Sequence, residues 1–332
     1  MEYRSVKGFG GWSQLPILLA FIGAGFLLAG ASQLIIGFSM LPPGTGMSSF
    51  EAEFLKALAN PANVGKARLM QVTGTFFLMF IPCLMYLWIC HGKKWFWLGF
   101  NKHINIYQIL TGFAIIFAAN LLANPIGELC KMFIANFPAL NAKAVAAEKL
   151  YSDQVTMLSN LNSWGEYLLA LIIMAFLPGL FEEMLFRGAL QNLLNRWWKR
   201  SLLAIIVSSL IFSFIHASYF LFISRAILGF VLGWMFWRSK NIWVNVIAHF
   251  LNNSLVLSAL FFTAKKPGKA DPGLAKLDPN IDWWWALLAL GALIFLMRLF
   301  EKNSVKNREI IEQREAILMN KSQPFPEQQN LA

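Results

Sequence analysis

Apolar runs about as long as a membrane crossing recur along this chain of 332 residues. A helix needs about 20 apolar residues to cross the hydrocarbon core of a bilayer. A strand of a membrane barrel would instead alternate apolar and polar residues over about ten positions, whereas these runs are continuously apolar. The sequence therefore predicts an all-α, polytopic membrane protein with about eight transmembrane helices in one bundle. The predicted crossings are residues 15–40, 70–90, 104–127, 167–194, 201–218, 220–238, 241–263 and 283–300.

The composition agrees with a membrane protein and narrows its partners. The chain is 57% hydrophobic and 14% charged, whereas a soluble domain averages about 45–50% and about 25%. The net charge of +11 fits basic loops at an anionic lipid surface, so we expect the lipid bilayer as a partner and no nucleic acid. The phosphate-binding pattern G-x-x-x-x-G-K-[ST] does not occur in the sequence, so we expect no nucleotide.

A change in composition near residue 300 divides the chain. Residues 1–300 are predicted to form the transmembrane bundle, with a core at about 165–260, and residues 301–332 a charged cytoplasmic tail. We expect the tail to be helical to about Lys321 and disordered beyond it, where prolines follow. Lys and Arg are more frequent in the loops of one side, so the positive-inside rule places both termini in the cytoplasm.

Three segments outside the core allow more local predictions. The first apolar run is about 25 residues long, which exceeds the roughly 7–15 residues of a signal peptide, so a retained helix is favoured over a cleaved leader. Residues 141–157 are expected to form a surface helix. Residues 265–282 contain three prolines and are expected to form an irregular loop.

Two adjacent carboxylates, Glu182 and Glu183, lie deep within the fourth apolar run. A carboxylate in hydrocarbon costs about 3 kcal/mol or more, so such residues are functional candidates. Neighbouring helical residues point about 100° apart, whereas residues at i and i+4 share a face. Glu183 can therefore pair with Arg187, which leaves Glu182 free for chemistry. The alternative interpretation is that all three residues form a packing network.

Two further pairs with a spacing of four, each of which contains a histidine, lie in the fifth and seventh apolar runs. They are Phe212 with His216, and His249 with Asn253. A single buried histidine is more often a satisfied core residue than a catalytic one. Polar faces on several membrane helices, however, must turn toward the bundle interior. We therefore predict that Glu182, both imidazoles and the Asn253 amide meet in one cavity.

The remaining ionisable residues of the apolar regions are interpreted as interfacial. His91 and His103 fall in a basic loop after the second run. Arg225 falls early in the sixth run, where its long side chain could reach the outer surface. A buried contact between Arg225 and a carboxylate is the alternative.

Such a cavity could hydrolyse an amide in either of two ways. A desolvated Glu182 could act as general base toward a water that His216 holds. His249 and Asn253 would then donate hydrogen bonds to the oxyanion, at about 2.7–4 kcal/mol per donor. Alternatively, Glu182, His216 and His249 could bind Zn²⁺, which activates its own water. The residues leave both mechanisms open, so no cofactor is certain and zinc is a candidate.

Two functions without hydrolysis also suit these residues. Glu and His chains serve as proton relays, so a proton-coupled membrane transporter is one alternative. Transporters often show paired repeats, which this sequence lacks. A catalytically inactive membrane scaffold is the other alternative.

The order of the three motifs is specific even though each motif alone is loose. Glu182-Glu183-x-x-x-Arg187, Phe212-x-x-x-His216 and His249-x-x-x-Asn253 together resemble the CPBP family of intramembrane proteases, also called the Abi or type II CAAX prenyl endopeptidase family. The resemblance covers about residues 165–260 and implies an eight-helix bundle with a cavity inside the membrane.

The resemblance also implies an activity and a role for each residue. In the family, the residues that match Glu182 and His216 activate water, and those that match His249 and Asn253 stabilise the oxyanion. Glu183, Arg187 and Phe212 would support them. The implied enzyme is a metallo- or glutamate-type endopeptidase in a bacterial-type plasma membrane. Its implied substrate is a membrane-embedded or lipidated peptide or protein, as in the relatives that shorten prenylated CAAX proteins.

Overall fold

A computed structural model describes residues 3–46, 48–159, 161–264 and 282–322. All the regular elements in these ranges are helices, and the β pairing there is limited to one isolated bridge between Arg4 and Gly10. The predicted all-α class is confirmed. The helices are α1 (Gly11–Phe38), α2 (Phe50–Ala59), α3 (Pro61–His91), α4 (Ile106–Ala135), α5 (Pro138–Ser159), α6 (Trp164–Trp198), α7 (Ser201–Ile215), α8 (Phe222–Ser239), α9 (Ile242–Ala264) and α10 (Trp283–Ser322).

Among the described residues, six helices are long and apolar enough to cross a membrane, namely α1, α3, α4, α6, α9 and α10. The chain is therefore a multi-pass integral membrane protein, as predicted. Each of the eight predicted crossings falls on a helix, but α7 has only 15 residues and α8 has 18. The figure of eight crossings stays a prediction.

The helix α6 lies at the centre of the bundle. Half of its most apolar window is buried inside the protein, compared with 17% for α1. Phe181, Met184, Leu185 and Phe186 of α6 belong to the largest buried apolar cluster, together with side chains from α3, α7 and α9. Glu182 and Glu183 of α6 are likewise buried, so these two carboxylates are surrounded by protein rather than by lipid.

Two helices contain wide π-helical turns ahead of a proline. The π segment Phe76–Phe80 of α3 precedes Pro82, and Leu171–Phe176 of α6 precedes Pro178. A proline has no N–H, and its ring collides with the carbonyl four residues earlier. A wider turn relieves that collision without ending the helix. A further π segment of α6, Met184–Gln191, begins directly after the carboxylate pair, and π turns are frequent at functional sites.

The C-terminal part of α10, beyond residue 300, packs against the bundle. The helix continues without a break to Ser322 and lies along the end of the bundle that carries the loops before α4 and α9. Glu315 pairs with Arg196 at 3.2 Å, and Gln108 donates a hydrogen bond to Ser304 at 3.0 Å. Ile311 is buried against the largest apolar cluster.

The structure describes some of the segments for which local predictions were made, but not all of them. The surface helix predicted at 141–157 is confirmed as α5. The predicted irregular loop at 265–282 lies outside the described residues except for Asp282, and so does the predicted disorder after Ser322. The division into a bundle and a tail stays a prediction.

The contact between α1 and α3 gives a stability prediction. A Cβ at Gly25 would collide with the backbone carbonyl of Phe77, whereas a Cβ at Gly23 would meet open space. Backbone cannot yield easily, and overpacking typically costs about 1–3 kcal/mol. That exceeds the gain of at most about 1 kcal/mol in helix propensity from glycine to alanine. Gly25→Ala should lower the thermal unfolding midpoint in detergent, and Gly23→Ala should keep or raise it. Equal midpoints would contradict this packing.

Candidate active site

The predicted ion pair of α6 is present and fully enclosed. Glu183 is 0% exposed and Arg187 is 1% exposed, and Arg187 Nη1 donates to Glu183 Oε1 at 2.8 Å. Because the two residues are one helical turn apart, α6 itself brings them together. Their opposite charges offset the cost of burying either one.

Glu183 has additional partners from α9. Its Oε1 lies 2.9 Å from His249 Nδ1, and its Oε2 accepts a hydrogen bond from Asn245 Nδ2 at 3.2 Å. Asn245 was not predicted as a site residue. The signal was present in the sequence, because Asn245, His249 and Asn253 recur at a spacing of four and so share one face of α9.

Arg187 connects the same carboxylate to α7 and α8. Its Nη2 donates to the carbonyl of Gly229 at 3.1 Å, and its guanidinium lies 4.8 Å from the centre of the Phe212 ring. One turn further along α6, Gln191 donates to the carbonyl of Gly233 at 2.8 Å. A Cβ at Gly233 would meet the side chain of Gln191 on α6, and a Cβ at Gly229 would meet Ser209 and Phe212 on α7. The two glycines thus let α8 pack closely against both helices.

Glu182 faces two imidazoles from other helices. Its Oε2 lies 3.8 Å from His216 Nε2 and 3.8 Å from His249 Nε2. This oxygen is buried and has no hydrogen-bond partner within the described part of the chain. A separation of 3.8 Å is too long for a direct hydrogen bond but fits one bridging water between polar groups. The three predicted residues Glu182, His216 and His249 are thus brought together.

The hydrogen bonds at Nδ1 orient both imidazoles. His216 Nδ1 lies 2.7 Å from the carbonyl oxygen of Phe212, which can only accept, so His216 carries its proton on Nδ1 and presents Nε2 to Glu182. His249 Nδ1 faces the carboxylate of Glu183 in the same way. Such a bond at one ring nitrogen fixes the tautomer and decides what the other nitrogen can do.

Phe212 supports this arrangement from α7. Its ring centre is 4.5 Å from that of His216 and 6.3 Å from that of His249. It also lies under the Arg187 guanidinium. One buried ring therefore contacts three of the predicted polar residues, which accounts for an apolar residue within the second motif.

Asn253 lies one turn beyond His249 but is not joined to the others by a hydrogen bond in the described residues. Its Oδ1 accepts from Asn252 Nδ2 at 3.4 Å, and Asn252 Oδ1 accepts from Asn120 Nδ2 at 2.6 Å. With its carbonyl oxygen engaged, Asn253 keeps its amide N–H groups available as donors.

A zinc site needs at least three protein ligands in a tight shell. Within the ranges that the structure describes, no three His, Cys, Asp or Glu side chains have the geometry of a metal site. The metal candidates Glu182, His216 and His249 are separated by 3.8 Å from carboxylate to ring nitrogen. In the described residues these three side chains therefore do not form a zinc site.

A comparison with known protein families finds a match to the region of the chain that contains the three motifs. The family model described as type II CAAX prenyl endopeptidase Rce1-like matches residues 164–255. That stretch contains all seven residues of the three motifs. This segment resembles the Rce1-like family. The resemblance inferred from the motifs is thereby confirmed.

Two proteins of Bacillus subtilis (strain 168) are similar to part of the chain. "Uncharacterized protein YpbD" is 31% identical over 105 residues, which is 30% of this chain and 51% of that protein. "Putative membrane peptidase YdiL" is 30% identical over 93 residues, which is 27% of this chain and 36% of that protein. The chain thus spans about half, or less, of the length of these curated relatives. No solved structure matches it.

Arg187 and Glu182 should differ in their effect on stability. Arg187→Ala leaves Glu183 buried without its cation, and breaking a buried pair in this way costs about 3–5 kcal/mol. Glu182→Ala removes a carboxylate whose Oε2 has no hydrogen-bond partner in the described residues, so it should cost little. We expect a clearly lower unfolding midpoint in detergent for Arg187→Ala than for Glu182→Ala. Equal decreases of the unfolding midpoint in the two variants would contradict a stabilising role of the Glu183–Arg187 ion pair.

Proposed function

We propose that this protein is an intramembrane endopeptidase that hydrolyses a peptide bond with a water activated by Glu182 and His216. The substrate we propose is a membrane-tethered or lipidated peptide or protein. The observation that carries the proposal is the buried Oε2 of Glu182, which lies 3.8 Å from the Nε2 atoms of both His216 and His249. The match of residues 164–255 to the Rce1-like family model supports it.

The first step of the proposed reaction uses the gap between Glu182 and His216. A water in this gap can donate one hydrogen to the Glu182 carboxylate and the other to His216 Nε2, which carries a lone pair. Glu182 takes a proton from this water as general base. The oxygen forms a bond to the scissile carbonyl carbon, and the electron pair of the C=O bond moves to its oxygen.

The resulting oxyanion needs donors on the α9 side. Because His249 Nδ1 is engaged with Glu183, its Nε2 can donate only when the ring is protonated. Protonated His249 and Arg187 would balance the charges of Glu182 and Glu183, so the enclosed set would be neutral overall. Asn253 supplies the second donor through its amide. Collapse of the intermediate breaks the C–N bond, and the proton on Glu182 moves to the leaving nitrogen.

Orientation in the membrane completes the proposal. Arg196, Arg238 and Lys240 lie at the end of the bundle where α10 packs, and each forms an ion pair with a glutamate of α10. We infer that this end faces the cytoplasm, which places both termini there. We infer a bacterial-type plasma membrane as its location.

The base assignment can be tested before the substrate has been identified. Glu182→Gln keeps the size of the side chain but removes the base, so it should abolish cleavage while the protein remains folded. The measurement is a proteomic comparison of the termini of membrane peptides in cells with the wild-type or variant protein. Glu128→Gln is the matched control, because Glu128 pairs with Lys131 on α4, outside the site. Cleavage products that persist in Glu182→Gln would refute the base assignment, and pH-dependent flux in liposomes without products would favour a carrier.

The oxyanion assignment makes a kinetic prediction for Asn253. Asn253→Ala should lower kcat about 100-fold with little change in KM, since an oxyanion donor acts mainly in the transition state. Kinetics on the peptide found in the termini comparison provide the test. Asn136→Ala, at an exposed helix end, serves as the matched control. A large rise in KM with kcat unchanged would instead make Asn253 a substrate-binding residue.

A further inference from the structure

The turn that carries His216 is held in an uncommon conformation. The helix α7 ends at Ile215, and His216 is its C-cap. The next residue, Ala217, has φ +50°, a region that residues with a side chain rarely adopt. Such a conformation persists only where surrounding contacts impose it. The contacts that impose it here therefore decide where the His216 ring lies.

One of these contacts comes from Arg225 in the first turn of α8. Its Nη1 donates a hydrogen bond to the backbone carbonyl of His216 at 3.2 Å. The last carbonyls of a helix have no partner within it, and a cation near them is also favoured by the helix dipole. Arg225 thus satisfies the end of α7 from the neighbouring helix. It was predicted to be interfacial or to contact a carboxylate, and this backbone contact was not foreseen.

The helix α5 in turn fixes Arg225 and the turn. The Tyr151 ring centre lies 5.1 Å from the Arg225 guanidinium, within the range of a cation–π contact. Glu148 accepts a hydrogen bond from Ser218 at 3.2 Å. Ala144 packs with Phe220 in a small buried cluster. The surface helix therefore contacts the segment after His216 at two positions and Arg225 at a third.

We propose that Arg225 is a positioning residue for His216 and that Tyr151 holds its guanidinium in place. This inference rests on the proposed function, since His216 is assigned there to the attacking water. Arg225 does not touch the reacting atoms. It fixes the backbone from which the imidazole reaches Glu182, so its removal lets the ring leave the carboxylate.

The first test measures the placement of His216 without any substrate. Diethyl pyrocarbonate modifies accessible imidazoles, and peptide mass spectrometry resolves the four histidines. The side chain of His216 is 26% exposed and that of His249 is 9% exposed. Loss of the contacts that hold the turn should therefore raise the rate of modification at His216 alone. We expect Arg225→Leu to raise it several-fold, Tyr151→Leu to raise it less, and Arg225→Lys to stay near wild type.

The control is Arg238→Leu, which lies on the same helix. Arg238 also stacks on an aromatic ring, at 3.9 Å from Trp237, but near the opposite end of α8. It should leave the His216 rate unchanged. A wild-type rate at His216 in both Arg225→Leu and Tyr151→Leu would overturn the proposal, and an equal rise at all four histidines would show general loosening instead.

The second test asks whether Arg225 acts through His216. If it does, Arg225→Leu should lower kcat at least tenfold with KM unchanged, but should cause no further loss in a His216→Ala background. An equal loss in both backgrounds would assign Arg225 a structural role only. If no cleavage depends on Glu182, the proposed function fails, and the modification rates still decide whether Arg225 positions His216.

Discussion

The buried ion pair between Glu183 and Arg187 is the interaction on which the rest of the site depends. Two charges removed from water cost several kcal/mol each, and the cost is recovered only when every remaining hydrogen-bonding position is filled. Here His249, Asn245 and the Gly229 carbonyl provide additional hydrogen bonds to the pair. In doing so they join α6 to α8 and α9. The pair is thus both a local feature of one helix and the junction of three.

This junction explains why Glu182 and Glu183 have different surroundings. Both carboxylate oxygens of Glu183 accept hydrogen bonds from its partners, and these bonds hold the helices together. Glu182 points about 100° away along the same helix, toward the ends of the two histidines that the junction has oriented. The ring of His249 belongs to both groups, because its Nδ1 faces Glu183 and its Nε2 faces Glu182. A change in the ion pair would therefore reach Glu182 through one imidazole.

The features of the site that could be predicted rest mostly on the spacing of residues along one helix. The features that could not be predicted depend on tertiary contacts. The pairing of Glu183 with Arg187 follows from one helical turn. In contrast, His216 lies about 22 Å along its helix and His249 about 12 Å along its own, at about 1.5 Å per residue, so their meeting depends on how the helices are offset. His91 was expected in an interfacial loop, and that expectation is wrong. It is 3% exposed and stacks on Trp97, with ring centres 5.3 Å apart, because the segment after α3 folds back onto the bundle.

The long helix α10 has a consequence for the order in which this protein can assemble. Its glutamates complete ion pairs with Arg196, Arg238 and Lys240, all of which are synthesised earlier in the chain. During translation, α6 to α9 enter the bilayer before α10 leaves the ribosome. At that stage the three cations lack their carboxylate partners, and the largest buried apolar cluster lacks Ile311. The bundle would therefore gain these contacts only after translation has passed residue 315.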